Sequence, residues 1–112
     1  MTDTLQQEQR HVRQRLTVAT HVYSVNGQPY GQLIDIDTRG FVIECDSPPV
    51  IGERLPLTLV IPGLDNQRNL ELTASCSSCE STDNNDLFRV GFAIETISDQ
   101  NQVALNYFIR DF

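Results

Sequence analysis

The residues best suited to hold a ligand fall into two groups. The first is Arg10, Arg13 and Arg15, gathered in one short stretch near the start of the chain. A guanidinium is a planar fork that matches phosphate oxygens and a flat face that stacks on bases. The second is Asp35, Asp37 and Gly40, in the run Ile34-Asp35-Ile36-Asp37-Thr38-Arg39-Gly40-Phe41. An ionised carboxylate only accepts hydrogen bonds, so this group takes N–H donors, either from a ligand or from the backbone just ahead of it. Each group also has a plain reading. The arginines are then solvated charges pairing with Asp3 or Glu8, and the Asp-rich run is an ordinary turn.

For the two groups to act together, the elements carrying them must meet. Ile34 and Ile36 alternate with polar residues on one side of the run, and Phe41, Ile43 and Cys45 do so on the other. The spacing predicts two strands joined at the corner Asp37-Thr38-Arg39-Gly40. Asp37 suits the corner by accepting backbone N–H groups, and Gly40 suits it by reaching positive φ at no steric cost.

Strands also account for the rest of the chain. Leu16 to Val25 alternates, Asn26-Gly27 is a strong hairpin signal, and the chain returns through Tyr30 to Ile36. After Ser47-Pro48-Pro49 and Ile51-Gly52-Glu53, Leu55, Leu57, Leu59 and Ile61 alternate, with Pro56 belonging at an edge or with its missing N–H turned outward. Leu70, Leu72, Ala74 and Cys76 line the next strand, and Phe88, Val90, Phe92 and Ile94 the last. Glu80 to Asp86 reads as a polar, mobile loop. Ser98 reads as the cap of a helix that is apolar enough from Val103 to Phe112 to pack on the sheet. Six short alternating strands joined by hairpin-like turns predict a mainly β fold, a six-stranded antiparallel barrel with a C-terminal helix across one mouth.

Composition narrows the function classes. At 112 residues the chain makes one domain: residues 10–112 as the barrel and helix, and residues 1–9 as a flexible arm with little apolar content. A net charge of −7 argues against binding a nucleic-acid polymer, whereas a local arginine cluster on an acidic protein suits a small anionic ligand. With no apolar run of membrane-spanning length and no apolar signal core, the reading is cytoplasmic, without membrane insertion. Cys45, Cys76 and Cys79 are too few for a zinc site without His11 or His21. On a regular strand Cys79, three residues beyond a core-facing Cys76, points the other way, so the thiols read as buried or incidental and no metal is expected. His11 and His21 have no visible nucleophile partner, so no enzyme is expected.

The order of these features resembles the PilZ domain over about Glu8 to Phe112: an arginine arm before the first strand, an acidic corner ending in Gly40, a Pro-x-x-Gly-like entry to the fourth strand, and Arg89-Val90-Gly91-Phe92 in the last. The resemblance implies a six-stranded barrel that binds the bacterial second messenger cyclic di-GMP through an Arg-x-x-x-Arg arm and an Asp/Asn-x-Ser-x-x-Gly corner. Aligned so, the arm arginines fall at Gln9 and Arg13, with Arg10 beside the first. In the corner Asp35 and Gly40 match, and Asp37 stands at the serine position. The implied ligand site is Arg10, Arg13, Arg15, Asp35, Asp37 and Gly40, with phosphates on the guanidinium groups and the guanine N1–H and amine on Asp35. Ordering of the arm on binding would let a protein partner read the nucleotide. The competing expectation is a nucleotide-independent interaction module acting in motility, pilus or exopolysaccharide regulation.

Overall fold

A computed structural model describes residues 13–62, 67–83 and 86–111, with side chains over 20–61, 68–83 and 86–110. The readings that concern residues 1–12, among them the arm, Gln9 and Arg10, lie outside the described residues. The described residues form six strands, β1 (Arg13–Ser24), β2 (Pro29–Asp37), β3 (Gly40–Cys45), β4 (Arg54–Pro62), β5 (Gln67–Ser81) and β6 (Phe88–Ile97), followed by helix α1 (Asp99–Asp111). They close into one antiparallel barrel in the order β1-β2-β3-β6-β5-β4, with β4 paired back to β1.

Alternation builds the core. Val22, Leu33, Ile36, Phe41, Ile43, Leu57, Leu59, Ile61, Leu70, Leu72, Ala74, Val90 and Phe92 all point inward and are buried. The Phe41 and Phe92 rings stack with centroids 5.2 Å apart. Tyr30 packs on Phe92 from the side, and burial pushes its phenol up to about 12. Leu105, Phe108 and Ile109 extend the same core from α1, which lies against β5 and β1. The helix begins where expected: the Asn101 N–H donates to Ser98 Oγ at 3.1 Å, with Asp99 in the first turn.

The turns follow their residues. At Asn26-Gly27 the glycine has φ +81°, the Gly27 N–H donates to the Ser24 carbonyl at 2.9 Å, and Ser24 Oγ donates to Asn26 Oδ1 at 2.7 Å. Gly52, with φ +93°, makes the turn into β4. Pro56 lies just beyond the stretch of β4 that pairs with β1, Leu57 to Val60, so its missing N–H costs that ladder nothing.

Two expectations fail for one reason, the insertion of an extra residue. The β2–β3 register slips between Leu33 and Asp35, so Leu33 and Ile36 point inward while Ile34 does not share their face. The β5–β6 register slips between Cys76 and Ser78, so Cys76 pairs with Phe92 and Cys79 with Val90. Cys79 therefore packs against the core on the same side as Cys76 instead of pointing away. A bulge places two residues of one strand opposite one of its partner, which resets the alternation beyond it. β5 continues to Ser81, so Glu80 and Ser81, read from the sequence as the start of a loop, belong to the strand.

Candidate functional site

The corner is built by Asp37. Its Oδ1 accepts the Arg39 N–H at 2.8 Å and the Gly40 N–H at 3.0 Å, as expected of an aspartate closing a tight connection. The corner is also tied to β6, where the Ile94 N–H donates to the Arg39 carbonyl at 2.9 Å. Gly40 acts differently from expectation. The positive-φ glycines among the described residues are Gly27 and Gly52, and Gly40 is not one of them. What requires glycine at position 40 is proximity: a Cβ built there runs into the backbone carbonyl oxygen of Phe92. Glycine is used here for the close approach of two backbones.

The start of β1 is brought to this corner. Arg13 is the register partner of Asp37, and Arg15 that of Asp35. Beyond Asp35 the same transverse row continues through Val42 on β3 and Gly91 on β6 to Ser78 on β5. Asp35, Asp37, Arg39, Gly40, Val42, Ser77, Ser78, Gly91 and Ala93 line a cleft of about 290 Å³ across this row. Phe41 and Phe92 also border it, and their residues are buried in the core with the rings stacked on each other.

Four of the expected site residues, Arg13, Arg15, Asp35 and Asp37, thus lie in paired register at one place, with Gly40 directly beyond. Ser77 and Ser78 were not among the expected residues. In the sequence they are spacers between two cysteines; alternation from Cys76 turns Ser77 outward, and the bulge turns Ser78 onto the same outer surface beside Gly91. Ser77 Oγ donates to the Gly91 carbonyl at 3.1 Å, and a Cβ on Gly91 would stand 2.5 Å from Ser78 Oγ.

The thiols offer no comparable chemistry. Burial pushes Cys45 and Cys76 up from the usual thiol value, which keeps them protonated and poorly nucleophilic. No group of three or more His, Cys, Asp or Glu among the described residues is placed to hold a metal ion. Among the described residues, no helix is long and apolar enough to cross a membrane.

A closed six-stranded antiparallel barrel with a C-terminal helix, and an acidic corner set beside an arginine-bearing first strand, together define a class of domain. The PilZ domain model matches residues 7–111, and the chain belongs to the PilZ family. No curated protein sequence matches it. Among solved structures, it is similar to the Bacillus subtilis inhibitor of motility MotI (18% identity, TM-score 0.71, covering 91% of this chain and 49% of that one). It is also similar to the PilZ domain of Escherichia coli YcgR with c-di-GMP (14% identity, TM-score 0.67, 91% and 88%). A third similar structure is the K. pneumonia MrkH–c-di-GMP complex (15% identity, TM-score 0.64, 92% and 51%). The chain spans about half the length of the MotI and MrkH chains.

Proposed function

We propose that this protein is a cyclic di-GMP receptor that relays the nucleotide's level to a protein partner. The observation supporting this reading is the register of β1 on β2, in which Arg13 and Arg15 pair with Asp37 and Asp35, two of the residues that line the cleft. Phosphates go to the guanidinium groups, with Arg10 joining from the arm. The guanine N1–H and amine go to Asp35, whose carboxylate can accept both. Ordering of the arm over the bound nucleotide presents a new surface to the partner. Family membership supports the reading, as do similar folds in the YcgR and MrkH complexes with c-di-GMP.

Calorimetric titration tests it. Cyclic di-GMP should bind in the micromolar range, more weakly as salt rises, because part of the attraction comes from exposed charge. Arg13→Ala should remove about 1.5–3 kcal/mol, the worth of a charge-assisted contact. Absence of binding at millimolar nucleotide would overturn the reading in favour of a nucleotide-independent interaction module.

Asp37 gives a second test. A carboxylate repels a nearby phosphate and has no proton to donate, whereas a serine can donate to the ligand and still accept a turn N–H. Asp37→Ser should tighten binding about tenfold, near 1.4 kcal/mol, and Gln9→Arg should add a similar gain. Unchanged affinity in both variants would show that neither position faces the nucleotide.

A further inference from the structure

We propose that the β5 bulge forms the far wall of the ligand site, with the Ser78 hydroxyl donating a hydrogen bond to an acceptor on the nucleotide. This inference rests on the cyclic di-GMP reading above. It assigns a hydroxyl donor to the β5 side of the cleft, opposite the corner residues Asp37 and Arg39.

The row Asp35–Val42–Gly91–Ser78 puts acceptor and donor at opposite ends of one trough. Asp35 and Ser78 stand three inter-strand steps apart, on the order of 14 Å along the curved sheet at about 4.8 Å per step. Between them lie Val42 and Gly91, which also line the cleft. A ligand that touches both ends must be of dinucleotide size, since a single base or phosphate does not span the gap.

Among the described residues lining the cleft, Ser77 and Ser78 are the hydroxyls. Their tasks differ. Ser77 Oγ donates to the Gly91 carbonyl and so fixes the bulge. Ser78 is exposed, and its Oγ lies over the bare Cα of Gly91. Gly91 therefore has a reason to lack a side chain, because a methyl group there would push the Ser78 hydroxyl aside. A hydroxyl can donate its proton to a ligand acceptor without adding a charge to that end of the cleft.

The test is calorimetric titration of the full chain and its variants with cyclic di-GMP, and separately with GMP. Ser78→Ala should weaken cyclic di-GMP five- to tenfold at an unchanged melting temperature and leave the weak binding of GMP unaffected. Ser78→Thr, which keeps the hydroxyl, should restore most of the loss. Gly91→Ala displaces the hydroxyl without deleting it and should weaken binding to a similar degree, so it decides the matter if Ser78→Ala folds poorly. Equal affinity for wild type, Ser78→Ala and Gly91→Ala would overturn the role of Ser78 while leaving the cyclic di-GMP reading in place. A wild-type chain that ignores cyclic di-GMP at millimolar concentration would overturn both.

Discussion

Valine at position 40 should damage stability and ligand binding together. Gly40 pairs with Ala93 on β6, and a Cβ there meets the Phe92 carbonyl oxygen, a backbone atom that cannot swing aside as a side-chain tip does. The two strands must separate locally, and overpacking of this kind costs about 1–3 kcal/mol or more. The strain falls on the corner itself. Its Arg39 and Gly40 amides converge on Asp37 Oδ1, and its Arg39 carbonyl is held by the Ile94 N–H. Moving Gly40 away from β6 shifts Asp37 and, through it, the register partner Arg13. We expect a lower melting temperature and at least about a tenfold loss of cyclic di-GMP affinity, since about 1.4 kcal/mol of misplaced contact is enough. Circular dichroism melting and calorimetry on one preparation measure both. A variant with wild-type stability and affinity would show that the corner is an ordinary connection.

Phe92→Ala should be the most destabilising single truncation. The ring is 3% exposed, stacks on Phe41 at 5.2 Å and is flanked by Tyr30 at 6.5 Å, so its removal opens a cavity between rigid neighbours. Burial of that kind is worth about 3–5 kcal/mol, against a typical domain stability of about 5–15 kcal/mol. The melting temperature should fall by more than about 10 °C. At low temperature, where the variant is still folded, affinity should stay within a few-fold of wild type, because the Phe92 ring packs in the core against Phe41 and Tyr30. A fall of only a degree or two would place the centre of the core elsewhere.

Much of this architecture was legible in the chain because local chemistry and tertiary role agree. Asn26-Gly27 turns the first hairpin, Ser98 caps the helix, and the alternating Leu57, Leu59 and Ile61 face inward as their spacing predicts. Asp37 was readable as a backbone acceptor for the same reason: its partners lie two and three residues ahead. What escaped the sequence depends on contacts remote in the chain. Ile34 and Ser77 are extra residues only relative to the partner strand, so nothing in their own neighbourhood marks them as bulges. The reason for glycine at position 40 lies in Phe92, on another strand, and could not be told from a turn preference. Ser78 was hidden in the same way, because its place in the cleft follows from the slip beside it.

Closure of the barrel bears on how any partner can recognise this protein. In an open sheet, the outermost strand offers a row of unsatisfied amides and carbonyls to which an extended peptide can add itself. Here β4 bonds back to β1 over His21 to Ser24, so along that seam the described residues offer no outermost strand, and that mode of capture is removed there along with the risk of edge-to-edge polymerisation. Recognition then falls to side chains, and a message carried by such a ring is written in shape and charge on its outer wall rather than in its main-chain ladder.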